Sequence, residues 1–188
     1  MNLKILCFAA ERWAEIEKRN QCLMRALSGD AGVVSLLYVN PPVHSSINDV
    51  VNGRFQPGPL GQDRKLHWQA LSGRLTVRKT DTIWGYTGSR KTLPLTRFDR
   101  VRRWRLLTRA NLSIYCHFVR RQLARLPGER LVVWLSHPFH AFAVDAFDER
   151  ALLVYDWMDD WEQFEVLPVE DPRTLRDLNQ QILQRADV

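Results

Sequence analysis

The segment Tyr155-Asp156-Trp157-Met158-Asp159-Asp160-Trp161 puts three carboxylates and two indoles directly after the apolar run 151–155. Three acids in five residues repel one another, so they belong in water or beside a partner that uses their charge. Three chemistries fit. Asp159 or Asp160 can cap a following helix through a side-chain oxygen. Clustered carboxylates suit a hard cation, but the spacing is not the D-x-D of metal-dependent sugar-nucleotide enzymes, and no metal is expected. Carboxylates beside aromatic rings also suit a polyol, because the acids accept hydroxyl hydrogen bonds while the rings cover the apolar face of a sugar. The polyol reading is favoured, since Asp156 at a strand tip and the flanking Trp157 and Trp161 are more than a helix cap requires.

Other candidates follow other apolar runs. Ser136-His137-Pro138-Phe139 comes after run 131–135. His137 and His140, three apart without a third ligand nearby, make a weak metal pair. His137 is either a substrate contact or a hydrogen-bonded loop residue. Arg12 and Trp13 lie in the loop after the first apolar run and are candidate ligand contacts. Arg19, further into the following helix, faces either ligand or solvent.

Charge is unevenly spread. The chain carries +6 overall, yet residues 97–125 hold nine arginines against the single acid Asp99. That stretch is +8 and the rest nets −2. A solvated helix face is one reading of the band. Attachment to an anionic membrane is another: Arg102, Arg103, Trp104 and Arg105 open a stretch in which aromatic and aliphatic residues interleave with arginine, as in an interfacial helix. No nucleic-acid motif accompanies the charge, so nucleic acid is not an expected partner.

These residues need a frame. The short apolar run 3–9 has the look of a buried parallel strand, and helical spacing follows over 11–27, closed by Ser28-Gly29-Asp30. Residues 32–39 are a second strand. Residues 43–73 read as a long loop, 75–77 and 82–84 as short strands, and 85–94 as a turn region. Residues 98–126 make the longest helical stretch, over two helices or one bent one. A third buried strand covers 131–135, a fourth 151–155, and Asp171-Pro172 opens a final helix over 173–184. Strand alternating with helix predicts an α/β fold, a Rossmann-like parallel sheet flanked by helices. In such sheets ligands gather beyond the carboxyl ends of the strands, where all the candidates except the arginine band fall.

With 188 residues, 45% hydrophobic and 26% charged, the chain suits one domain with a substantial core. Cys7, Cys22 and Cys116 are odd in number and widely spaced, which argues against a disulfide framework and for a cytoplasmic setting. The first apolar run is too short for a signal peptide and no stretch is long enough to span a bilayer. A cytoplasmic protein, peripheral on the inner face of the membrane if the arginine band binds lipid, is expected.

In order along the chain, Trp13, Arg19-Asn20-Gln21, Tyr38-Val39-Asn40-Pro41-Pro42, Leu93-Pro94-Leu95, Ser136-His137-Pro138-Phe139 and Val154-Tyr155-Asp156 with Asp159-Asp160 resemble bacterial GT-B glycosyltransferases of the family 4 type. The likeness is to those of teichuronic acid and exopolysaccharide synthesis, and it covers nearly the whole chain. It implies that residues 1–188 are the N-terminal acceptor-side domain of a two-domain enzyme. Asp156 would be the catalytic residue of this half. Arg12, Trp13, Arg19, His137, Trp157, Asp159 and Asp160 would meet a glycan or lipid-linked acceptor. The nucleotide-sugar donor would bind a following C-terminal domain, with Ala186-Asp187-Val188 starting the next strand, and no cofactor is expected in this half. Two departures stand out. The first strand-to-helix loop offers Ala9-Ala10-Glu11 in place of the glycine pair that many such enzymes use, and Asp156 stands where many carry histidine.

Overall fold

A computed structural model describes residues 2–10, 13, 18–40, 76–87, 104–147, 150–158 and 172–188; for 76–77, 86–87, 104–111 and 172–174 only the backbone is described. Among the described residues, six strands form one sheet: β1 (Leu3–Phe8), β2 (Val33–Asn40), β3 (Thr76–Arg78), β4 (Ile83–Thr87), β5 (Arg130–Leu135) and β6 (Leu152–Tyr155). Their spatial order is β3-β4-β2-β1-β5-β6. Five strands run parallel, and β3 pairs antiparallel with β4 at one edge. The parallel strands β1, β2 and β5 are nearly continuous apolar sequence because both faces of the sheet are covered.

Among the described residues, three α-helices and one 3-10 turn do the covering: α1 (Arg19–Ser28), α2 (Trp104–Leu123), the 3-10 helix Pro138–Ala143, and α3 (Pro172–Leu183). On one face Ile5, Cys7, Tyr38, Ile83 and Val132 pack with Met24 of α1. On the other, Leu6, Phe8, Leu37, Val39, Val133, Leu135 and Tyr155 pack with Tyr115 and Val119 of α2 and Ile182 of α3. The alternation of side chains along each strand sorts residues between the two cores. The result is a Rossmann-like α/β sheet wound on both sides, as the alternating pattern predicts. Cys7 and Cys116 are buried thiols that serve as packing; burial raises both, Cys116 to about 11.

Some details differ from expectation. Residues 85–87 belong to β4, not to a turn: Tyr38 pairs with Gly85 and Asn40 with Thr87, so sheet pairing overrides the glycine signal. From Trp104 to Leu123 the arginine-rich stretch is one continuous helix. Gly29 does end α1, but at φ −83, an ordinary right-handed conformation. The stop is made instead by the Asp30 carboxylate, which accepts from Gly32 N at 2.7 Å and turns the chain into β2. The last residues lie along the free edge of β6, where Asp187 N donates to Leu153 O (2.8 Å) and Tyr155 N donates to Val188 O (2.9 Å). The expected long loop over 43–73 lies outside the described residues.

One buried bond ties β6 to α3. The Tyr155 hydroxyl donates to Asn179 Oδ1 at 2.5 Å, and Asn179 is 4% exposed. Burial pushes the Tyr155 phenol up to about 12, so it stays a donor. Tyr155→Phe strands the Asn179 oxygen and is expected to lower unfolding stability by about 1–2 kcal/mol. Denaturant unfolding of the two proteins checks this.

Candidate functional site at the carboxyl edge

The parallel strands end in register. Val39, Phe8, Leu135 and Tyr155 form one row across β2, β1, β5 and β6. The chain then continues the ladders for one more step, with Ala9 N donating to Val39 O (3.1 Å) and Asp156 N to Leu135 O (2.8 Å). Asn40, Ala9, Ser136 and Asp156 therefore stand side by side at the carboxyl edge. By period-two alternation they share the face of Tyr38, Cys7, Trp134 and Val154, the face that α1 covers. The order in which successive strands are laid down reverses at β1, with β2 and β4 on one side and β5 and β6 on the other, so Ala9 and Ser136 flank the topological switch point, where open α/β sheets bind ligands.

Arg19 opens α1 and reaches this row from above. Its Nη2 donates to Asp156 Oδ1 at 2.8 Å across 137 residues of sequence. The arginine side chain is 60% exposed and the aspartate side chain 9%. The pair is thus anchored on a buried carboxylate and open to solvent at its cationic end. The other oxygen, Asp156 Oδ2, is buried and has no hydrogen-bond partner. So are the Ser136 hydroxyl, both polar atoms of the Asn20 side chain, and the Trp134 indole nitrogen. Burial raises the Cys7 thiol first, and the Asp156 charge, reaching inward, raises it further, while the Ser136 hydroxyl beside it lowers it.

Aromatic groups rim the row. Trp157 is half exposed and stacks on Tyr155, with ring centroids 6.3 Å apart and planes 20° from parallel. Trp13 is held by a bond from its backbone N to Asn40 Oδ1 (2.8 Å). Its ring meets Tyr38 edge-on at 4.9 Å and lies under the Arg25 guanidinium. It packs onto the α1 side of the sheet. No family model, curated protein or solved structure matches this chain.

His137 and His140 are committed to local structure. His137 caps the 3-10 helix, its Nδ1 accepting from Phe139 N at 3.1 Å, and His140 Nδ1 accepts from Ser136 N at 3.4 Å. The His140 ring packs 5.8 Å from Phe8, and the two imidazoles lie 5.9 Å apart. Burial lowers His137 to about 4; burial and then its neighbour lower His140 to about 3. Both rings are neutral near pH 7 and too weakly basic there for efficient proton abstraction. Among the described residues, no three His, Cys, Asp or Glu are grouped to hold a metal ion.

The structure thus brings Arg19, Asp156 and Trp157 to one edge, with His137 following Ser136. Arg12, Asp159 and Asp160 lie outside the described residues, as do Arg102 and Arg103; Trp104 and Arg105 begin α2. At the far end of α2, Arg120 donates to Ala146 O and lies over the Phe147 ring, and Arg125 donates to Gln122. Those two arginines make contacts within the fold. No helix among the described residues is long and apolar enough to cross a membrane. Asn20, Asn40 and Ser136 stand within the motifs read from the sequence, but no site role was assigned to them there. For Asn20 a signal existed: it precedes Met24 by one helical turn on the buried side of α1, a polar amide on an apolar stripe.

Proposed function

We propose that this chain is the acceptor-side domain of a glycosyltransferase that moves a sugar from a nucleotide-sugar donor to a polysaccharide or lipid-linked glycan. The observation that carries this reading is the Arg19–Asp156 pair at the switch-point edge, with one carboxylate oxygen bound and the other unpartnered. A carboxylate fixed in this way can accept a hydrogen bond from an acceptor hydroxyl and orient it for attack. The Trp157 ring beside it offers a flat apolar surface for a pyranose.

In this reading the donor binds a second domain and transfer takes place in the cleft between the two. The first strand-to-helix turn lacks the glycine pattern that cradles a diphosphate, which supports placing the donor elsewhere. A lipid-linked acceptor would bring the domain to a membrane surface, with residues 102–105 as the basic contact. Calorimetric titration of this chain with UDP-glucose is the first test. No binding is expected at millimolar ligand, whereas a micromolar isotherm would move the donor site into this half and overturn the division of labour.

A further inference from the structure

Helix α2 and its flanks carry charge of one sign. From residue 100 to residue 128 there are eight arginines and no acid. A solvated helix ordinarily mixes the two signs, because acid–base pairs at i, i+4 support it and like pairs oppose it. Here Arg121 and Arg125 stand four apart, and among the described residues none of Arg120, Arg121 and Arg125 forms an ion pair.

The charge lies beside exposed apolar surface. Tyr115, Cys116, Val119 and Leu123 are buried, which leaves Ser113, Ile114, His117, Arg121 and Ala124 in water on the opposite side of the helix. Ile114 is 38% exposed, one of the few large apolar side chains in solvent among the described residues. The register through Ile114 and Arg121 passes seven residues earlier through position Leu107. The helix also reaches past the sheet. Leu123 lies level with the start of β1, its carbonyl accepting from Lys4 Nζ at 3.3 Å, and Tyr115 lies level with the end of β1, its ring 6.4 Å from that of Phe8. The backbone from Tyr115 back to Trp104 therefore runs roughly 16 Å beyond the carboxyl edge at the usual helical rise. That is the side on which Asp156 stands.

We propose that the outer face of α2, through Ile114, His117 and Arg121, docks on an anionic lipid surface. An interface of that kind takes both things this face offers, basic groups for headgroup phosphates and aliphatic side chains for the acyl boundary. A second copy of the chain would set arginine against arginine with no acid between them. A nucleic-acid backbone would take the charge but make no use of Ile114. The link to the site rests on the glycosyltransferase reading: a lipid-linked acceptor lies in the same surface, and the projecting end of α2 brings that surface to the edge that holds Asp156.

The test is co-sedimentation of the 188-residue chain with vesicles of phosphatidylcholine, alone or with about one-third phosphatidylglycerol, at low salt. Binding is expected only with phosphatidylglycerol. Arg121→Glu should weaken it about ten-fold and Ile114→Ser about three-fold. Arg130→Glu makes the same charge change at an exposed position at the opposite end of the sheet, and should leave binding within about two-fold of wild type. Circular dichroism melting checks that each variant folds as wild type does. Equal losses from Arg121→Glu and Arg130→Glu would overturn the assignment to this face, as would binding to neither vesicle. Equal affinity for a short DNA duplex, with Ile114→Ser without effect, would give the face to nucleic acid and overturn lipid docking. The donor titration and the transfer assay of Asp156→Ala read the glycosyltransferase site separately, so a failed face would leave an acceptor-side domain acting on a soluble glycan.

Discussion

Gly128→Ala should lower unfolding stability by about 2–5 kcal/mol and the melting temperature by roughly 5–15 °C. Two independent effects add. Gly128 has φ +130, the one positive value among the described residues and a region that side chains rarely adopt. A Cβ placed there would also lie 2.6 Å from Lys4 Cβ and 3.2 Å from Lys4 Cα on β1, which is itself paired on both sides and has little freedom to move. The turn before β5 is fixed besides by the Ser35 hydroxyl, which donates to Pro127 O, and by Glu129 N donating to Asn2 O at 2.9 Å. Gly29→Ala is the control: its φ is −83 and an added Cβ meets only the Ala26 carbonyl at 3.4 Å, so it should be neutral or slightly stabilising. Equal losses in the two variants would contradict this account of the turn.

Mild acid is the second large perturbation. His137 and His140 have folded values of about 4 and about 3, below the ordinary 6.5. The unfolded chain therefore takes up protons from about pH 6.5 downward while the folded chain does not, and stability falls as pH drops through that window. It is fully present above pH 6.5 and is lost progressively until the folded values are reached. Between pH 7 and pH 5 each histidine should cost about 2 kcal/mol, a range in which ordinary carboxylates stay ionised. Urea midpoints at pH 7, 6 and 5 measure the loss. His140→Asn keeps an acceptor close to the Nδ1 position that receives Ser136 N, and it should remove about half of the slope. An unchanged slope would mean that His140 is not held neutral.

Much of this frame is legible in sequence, and the physical reason is burial. Runs such as Leu131-Val132-Val133-Trp134-Leu135 can only be strands covered on both faces, so the sheet and its helices follow from them. The end of β4 was hidden because Gly85 reads as a turn, and only pairing with Tyr38 of β2 makes it strand. The site divides in the same way. Asp156 and Trp157 are visible as a charged and aromatic break after an apolar run, and local sequence is enough to find them. Arg19 could be named but not oriented, since its partner is 137 residues away. Ser136 is visible in the loop Ser136-His137-Pro138-Phe139, but it carries no role of its own there because a serine after a strand is ordinary loop chemistry. Its meaning comes from the register that sets it beside Asp156.

On the proposed function, Asp156 positions the acceptor in a glycosyl transfer. Its side chain has one unpartnered oxygen, so removing it should cost the fold little, and a loss of activity would not be a loss of folding. The decisive measurement is transfer of labelled sugar from a nucleotide-sugar donor to glycan acceptor, wild type against Asp156→Ala, by the protein together with the donor domain that the proposed function calls for. We expect transfer to fall by about 10²–10³-fold or more with donor affinity unchanged, the scale of losing a polar group that acts at the reacting centre. Normal turnover in Asp156→Ala, with the variant folded as wild type, would contradict the assignment of this edge as the acceptor site.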